Sequence, residues 1–190
     1  MVYIIIGLVL LLIIAPIISI MPTAKQKAQM VKRRQAMANN IRVDLTRIDD
    51  PDPDPEKYLS NTGRPLERKC SVTAYRIPRR RPNGWRQAPP TDWAVDRVEG
   101  DNSLISVLGW RWNGPPDLKV SKDLSEFIVA NLSNLPNDVV RVEEKNFIVS
   151  VFWNEVGEVH DTIDFLNGCV AISIFPEAAD DPADQHLPKN

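Results

Sequence analysis

The sequence predicts an α+β protein, with an N-terminal transmembrane helix followed by a two-layer domain in which helices cover one face of a mostly antiparallel sheet. Three observations lead to this prediction. An uncharged apolar run comes first, short alternating segments separated by turn residues follow, and two amphipathic segments with helical spacing lie in the C-terminal third. Hairpins combined with helices favour an antiparallel sheet with the helices on one side.

The apolar run extends from Val2 to Met21 without a charged side chain, and Lys25 is the first charged residue. A bilayer core about 30 Å thick needs roughly 20 apolar residues of helix. A cleaved signal peptide would need a basic start and a shorter apolar segment, and a buried core helix would need a polar stripe. We therefore predict a transmembrane anchor over 1–21 and keep those two interpretations as alternatives.

A basic segment over 22–40 follows the run. Its Ala, Lys, Gln and Arg residues favour a helix, which Thr23 can start and Asn39-Asn40 can end. Met30, Met37 and Ile41 recur at helical spacing on one side. Positive flanks stay on the cytoplasmic side of a membrane. This predicts that the N-terminus lies outside and that the C-terminal domain lies in the cytoplasm. The juxtamembrane basic residues are Lys25, Lys27, Lys32, Arg33 and Arg34.

The predicted cytosolic domain covers 41–175. Strands are expected over 41–46, 69–77, 92–98, 104–112, 139–143 and 147–153, with an acidic proline-rich loop over 49–66. A helix over 121–135 carries an apolar face, with Asp123 and Glu126 resembling a capping box. The last helix begins near Gly157 and is weakened inside by Gly168. Residues 176–190 are too polar to build a core and are predicted to be a disordered tail.

Few residues offer catalytic or metal chemistry. His160 is flanked by acids at a helix start, which predicts an exposed position rather than a catalytic base. Cys70 and Cys169 are expected to be reduced thiols. The run Asp50-Pro51-Asp52-Pro53-Asp54 lacks the glycine and glutamate of a calcium loop and is predicted to be a solvated spacer. No catalytic residue, cofactor or metal is therefore predicted.

The five tryptophans are numerous for 190 residues. Large rings are often core anchors, which predicts packing in the interior. For Trp110 and Trp112, the alternative of an interface stays open.

The best binding patch surrounds the basic turn at 78–84. Arginines beside an aromatic ring can hold a protein partner or anionic lipid headgroups. The alternative is a solvated hairpin tip, and nucleic acid is not expected as a partner. The candidate patch consists of Arg76, Arg79, Arg80, Arg81, Trp85 and Arg86.

The N-terminal 45 residues resemble YajC-type accessory subunits of the preprotein translocase. The resemblance lies in the apolar run, in Pro-Thr-Ala-Lys-Gln-Lys at 22–27, and in the basic helix through Lys32-Arg33-Arg34. The Gly-Asp-x-Val turn of that family is replaced here by Asn39-Asn40-Ile41-Arg42-Val43.

The stretches at 109–112, 135–140 and 151–155 resemble a group of proteobacterial membrane-anchored proteins, some of them YajC-like. The resemblances imply a bacterial inner-membrane protein and no catalytic residues.

These observations predict a non-enzymatic single-span accessory protein whose cytosolic domain binds an integral membrane protein complex, such as the preprotein translocase. Two alternatives remain open: a membrane-anchored enzyme of unrecognised type, and a module that binds anionic lipid surfaces.

Overall fold

A computed structural model describes residues 2–81, 92–98, 109–114 and 120–172. This part of the chain contains four α-helices and six strands. In chain order they are α1 (Val2–Ile20), α2 (Ala24–Ala38), β1 (Arg42–Asp49), β2 (Lys69–Pro78), β3 (Trp93–Arg97), β4 (Trp110–Trp112), α3 (Lys122–Asn131), β5 (Val139–Lys145), β6 (Ile148–Trp153) and α4 (Val159–Ala171).

The six strands form one sheet in the order β1-β2-β6-β5-β3-β4. Every neighbouring pair is antiparallel, with a register shift in the β5–β6 pair near Val139. The predicted α+β class with an antiparallel sheet is therefore confirmed. Residues 104–108 of the predicted fourth strand lie outside the described residues, as does the predicted tail.

One face of the sheet carries the main core. Directly opposed residues of antiparallel strands share a face, so the register places Tyr75, Val151, Val142 and Val95 together. Buried residues of α2, α3 and α4 join them in one continuous hydrophobic cluster. Helices α2, α3 and α4 therefore pack against this face of the sheet.

Four of the five tryptophans are interior residues, at positions 93, 110, 112 and 153. Trp153 meets Tyr75 edge to face at 5.1 Å between ring centroids, and Trp93 meets Trp112 in the same way at 6.2 Å. The prediction of core packing is confirmed for these four, and Trp85 lies outside the described residues.

The opposite face carries a smaller apolar cluster around Val72, Ala74 and Phe152. Charged residues surround it, because the register aligns Ala74, Phe152, Arg141, Asp96 and Arg111 in one row across the sheet. We call this the charged face. The sheet thus buries an apolar face under helices and presents a face of mixed charge on the other side.

The ends of the helices agree in part with the capping residues that the sequence predicts. Thr23 and Gln26 form a capping box at the start of α2, and Asn40 takes the left-handed conformation (φ 60°) after its end. The predicted box at Asp123 is wrong, because Ser121 caps α3 by accepting the Leu124 N–H.

The residues predicted to share one side of α2 differ in exposure, because Ile41, just after the helix, is buried in the main core. Met30 and Met37 are exposed, whereas Ala36 is the buried residue of this helix.

Helix α1 covers Val2–Ile20 without interruption, and residues 21–23 join it to α2. Among the residues that the structure describes, no helix is both long and apolar enough to cross a membrane.

Gly168 has a packing role in addition to its low helix propensity. A Cβ atom at Gly168 would lie 2.2 Å from Cζ of Phe127, so the glycine provides the space into which this α3 ring fits against α4. We predict that Gly168→Ala lowers the free energy of unfolding by about 1–3 kcal/mol through overpacking, although alanine is favoured over glycine in helices by about 1 kcal/mol. Urea unfolding followed by tryptophan fluorescence measures the difference.

The double variant Gly168→Ala with Phe127→Leu supplies the matching control, because the smaller side chain frees the space. We expect it to recover part of the lost stability. A single Gly168→Ala variant more stable than the parent protein would contradict the packing role.

Candidate functional site

The loop that joins β6 to α4 receives Lys32 from α2. Its Nζ donates hydrogen bonds to the carbonyl oxygens of Glu155, Val156 and Gly157, at 2.9, 3.0 and 2.6 Å. An ammonium group has three donors, and three successive carbonyls take them. Lys32 is therefore a structural clamp between α2 and this loop.

Arg33 binds the same loop through its side chain. Its guanidinium donates to both carboxylate oxygens of Glu155, at 2.8 and 2.5 Å, and the Tyr75 hydroxyl donates to the same carboxylate at 3.0 Å. Glu155 is only 3% exposed, so its charge needs these donors. The hydrogen bond to Glu155 raises the pKa of Arg33. Burial, with the neighbouring carboxylate, raises the pKa of Tyr75.

The loop is also fixed from the other side. The Asp138 carboxylate accepts the backbone N–H groups of Asn154, Val156 and Gly157. Glu155 itself has a φ of 59°, a conformation that side-chain-bearing residues rarely adopt. Contacts on both sides thus hold a strained backbone, which is typical of positions where the surrounding structure determines the geometry.

The remaining juxtamembrane residues have a different environment. Lys25, Lys27 and Arg34 are exposed on α2. The structure therefore divides the predicted basic segment into two docking residues, Lys32 and Arg33, and three exposed cations.

A groove of about 500 Å³ lies between α2 and the sheet. Gln29 and Arg33 line it from α2, Leu45 and Arg47 from β1, and Thr73 from β2, with further lining from the end of β6. Leu45 is 73% exposed, which is unusual for a leucine beside the main core. Apolar surface, hydroxyls and guanidinium groups therefore meet at this side of the sheet, beside strand β1.

The arginine patch predicted around the basic turn does not form a single surface. Arg79 is 5% exposed, and its guanidinium donates to both oxygens of Glu144, at 2.7 and 2.9 Å, and to the Ile172 carbonyl. The indole N–H of Trp93 donates to Glu144 as well. Arg79 therefore belongs to a buried ion pair that ties β2 and β5 to the end of α4, and it is neither part of an exposed binding patch nor a residue of a solvated hairpin tip.

Other members of the patch lie apart. Arg76 is on the charged face, where it donates to Asp44 at 2.9 Å and lies over the Phe152 ring. Arg80 and Arg81 are exposed, with the Arg81 guanidinium 6.0 Å from the centroid of the Phe147 ring. Trp85 and Arg86 lie outside the described residues.

The charged face holds a second group of ion pairs. Arg141 donates to both oxygens of Asp96, which also accepts from Asn113. Glu143 lies two residues further along β5, and burial raises its pKa against the effect of Arg141 and Lys145.

The groups that could act as nucleophiles or bases are poorly placed for it. His160 is exposed on α4, as predicted, 3.2 Å from Asp164 of the next turn. Both cysteines are free thiols, also as predicted, and burial raises the pKa of each. A raised pKa lowers the thiolate fraction that nucleophilic attack requires. In the part of the chain that the structure describes, no group of acidic, cysteine and histidine side chains could hold a metal ion.

The acidic loop forms more hydrogen bonds than a solvated spacer would. Asp50 accepts hydrogen bonds from the Tyr58 hydroxyl and from Lys57, and Tyr58 is buried. A 3-10 turn spans Glu56–Tyr58, where Asp54 accepts the Glu56 N–H. Burial alone would raise the pKa of Asp50, but the two side-chain donors outweigh it and lower the pKa.

Comparisons of the chain with protein-family models, curated proteins and solved structures find no match. The geometry of the described residues is therefore the basis for a functional proposal.

The first prediction from this site concerns Glu155. We expect Glu155→Gln to lower the free energy of unfolding by about 2–3 kcal/mol, because it leaves the Arg33 guanidinium without its carboxylate in a partly buried position. Chemical unfolding measures the loss, and limited trypsin digestion should cleave within α2 faster. The exposed acid Glu158 provides the control, since Glu158→Gln should change stability by less than about 0.5 kcal/mol. Equal losses in the two variants would exclude the docking role.

The second prediction concerns acid sensitivity. Because folding lowers the pKa of Asp50, its carboxylate stabilises the fold above about pH 4, and this contribution disappears as the pH falls through the lowered pKa. Asp50→Asn should therefore cost about 1 kcal/mol at neutral pH and almost nothing near pH 2. Urea unfolding at both pH values tests this.

Tyr58→Phe removes one of the donors and should reduce the acid sensitivity that Asp50 provides. A loss on Asp50→Asn that is the same at both pH values would count against the proposed contacts.

Proposed function

We propose that the protein is a single-span inner-membrane accessory protein whose cytosolic domain binds an integral membrane protein complex and catalyses no reaction itself. The observation that carries the proposal is the docking of α2 by Lys32 and Arg33. Helix α2 begins only three residues after α1 ends, so about 14 Å of chain at most separates them. A helix fixed both to α1 by this short link and to the domain by ionic contacts would hold that domain at the membrane surface.

Support for the anchor comes from the amino-acid sequence of the run from Val2 to Met21, in which no side chain is charged. The proposed orientation has the N-terminal side of α1 outside, since all five juxtamembrane basic residues follow the run. Lys25, Lys27 and Arg34 are exposed and would meet anionic headgroups, at about 1 kcal/mol for each cation near the surface. The lipid contact would orient the domain, while its protein partner would give specificity.

Support for a binding function comes from the surfaces of the domain. The described thiols have raised pKa values and His160 is exposed beside Asp164, so none of them is an activated nucleophile or base. The charged face and the groove beside β1 instead present paired charges, hydroxyls and exposed apolar surface. The resemblance of the N-terminal segment to YajC-type subunits suggests the preprotein translocase as the complex.

Membrane attachment is the first test. We expect the full chain to remain in the membrane pellet after washes with 1 M salt and with alkaline carbonate, and to be released only by detergent. A reporter fused after Asn190 should be active only in the cytoplasm. Release by salt, or reporter activity outside the cytoplasm, would overturn the proposed topology.

A matched pair of variants tests whether the apolar run is the anchor. Leu11→Arg with Ile14→Arg should release the protein, because each arginine near the centre of a span costs about 2.5–3.5 kcal/mol. Leu11→Val with Ile14→Val should leave it in the membrane.

Crosslinking in intact membranes followed by mass spectrometry then tests the partner. Stoichiometric recovery of translocase or another integral complex is expected, and recovery of this chain alone would contradict the accessory function.

A further inference from the structure

Strand β1 is an edge strand of the sheet. Among the residues that the structure describes, it pairs only with β2, over the full length Arg42–Asp49, without a register shift and without proline. Natural sheets usually protect an edge with a bulge, a proline, a short strand or a covering segment. An eight-residue regular edge is therefore a surface to which another strand can be added.

The hydrogen-bond ladder identifies which backbone groups face outward. Asp50 N–H donates to the Arg68 carbonyl oxygen at 3.0 Å, and these two residues continue the β1–β2 register. In an antiparallel pair, hydrogen-bonded and non-hydrogen-bonded positions alternate, so the even-numbered residues of β1 bond to β2. The outward groups belong to Val43, Leu45, Arg47 and Asp49, and among the described residues nothing forms a hydrogen bond with their backbone groups.

The side chains along this edge restrict what can bind there. Leu45 and Arg47 line the groove of about 500 Å³ on the side of α2. A strand added beside β1 would place alternate side chains next to them, in the space between β1 and α2. Along the strand the charges alternate in sign, with Arg42, Asp44, Arg47 and Asp49, and Asp44 also accepts hydrogen bonds from Arg42 and from Arg76 of β2. Cross-strand pairs of opposite charge are favourable and like charges directly opposite are unfavourable, so this sequence of charges can select a partner and its register.

We propose that β1 binds an extended segment of a partner protein by antiparallel strand addition. The segment carries acidic residues opposite Arg42 and Arg47, basic residues opposite Asp44 and Asp49, and an apolar residue opposite Leu45. Antiparallel addition continues the arrangement of every other neighbouring pair in the sheet. This proposal rests on the proposed function, which supplies the protein partner. It adds the surface that binds the partner and the chemistry of the bound segment.

The probe is a capped synthetic peptide, Lys-Val-Glu-Thr-Val-Lys-Val-Glu, which is complementary to β1 read from Asp49 to Arg42. The control peptide, Glu-Val-Lys-Thr-Val-Glu-Val-Lys, has the same composition and net charge but opposes like charges. Fluorescence anisotropy with the full chain in detergent micelles should give binding of the probe about tenfold tighter or more than that of the control. Equal binding of the two peptides, or binding of neither, would overturn the proposal.

Amide exchange locates the binding. In the free chain, the amides of Leu45 and Arg47 should exchange rapidly and that of Thr46 slowly, since Thr46 bonds to β2. The probe should slow exchange at Leu45 and Arg47 by at least about tenfold while leaving Thr46 unchanged. Slow exchange at Leu45 in the free chain would mean that the edge is already covered, which would also overturn the proposal.

Two variants complete the test. Leu45→Pro removes an outward N–H while keeping the bonds to β2, a position where edge strands accept proline, and it should weaken probe binding about tenfold. Arg47→Glu keeps the backbone and should reduce the preference for the probe over the control, which makes the test independent of how the proline variant folds. Unchanged preference in Arg47→Glu would contradict the register. The peptide assay does not depend on membrane attachment, so a failure of the peptide to bind leaves the membrane-attachment test unaffected. A failed membrane-attachment test likewise leaves the peptide assay unaffected.

Discussion

The buried carboxylate of Glu155 is the interaction on which the arrangement of this domain depends. It lies at the end of the central strand β6, before α4, and accepts hydrogen bonds from α2 through Arg33 and from β2 through Tyr75. A buried charge is tolerated only when enough donors surround it. Three parts of the fold must therefore reach their final positions before this carboxylate is satisfied.

The backbone around Glu155 explains how this arrangement is maintained. The loop has its N–H groups bound by the Asp138 carboxylate and its carbonyls bound by Lys32, so both sets of polar groups are satisfied without regular secondary structure. The left-handed conformation of Glu155 persists because these contacts determine it. Polar contacts to one loop, more than apolar packing, therefore dock α2, which buries only Ala36.

The fold class and most elements could be predicted from the sequence because they follow local rules. Alternation in β1, the amphipathic faces of α3 and α4, and the Asn40 stop of α2 are properties of a few neighbouring residues. The partners of Arg33 and Arg79 lie 122 and 65 residues away in the chain. No local pattern distinguishes these two from Arg34 and Arg80, their exposed neighbours. Neighbouring basic residues with similar sequence surroundings can therefore be divided into buried ion-pair residues and exposed residues only from the folded structure.

The buried pair of Arg79 and Glu144 has a further consequence for where binding can occur. The pair holds the end of β2, strand β5 and the C-terminus of α4 together at one end of the sheet. The indole N–H of Trp93 donates a further hydrogen bond to the Glu144 carboxylate. At one edge of the sheet, β1 follows α2 after a short turn and, in the described part of the chain, bonds to β2 alone. Its outward backbone groups have no described partner, whereas buried backbone groups in folded proteins are almost always paired. An exposed strand edge can remain unpaired because solvent can form hydrogen bonds with its backbone groups, and a complementary strand that takes the place of solvent would gain ladder bonds without disturbing the core.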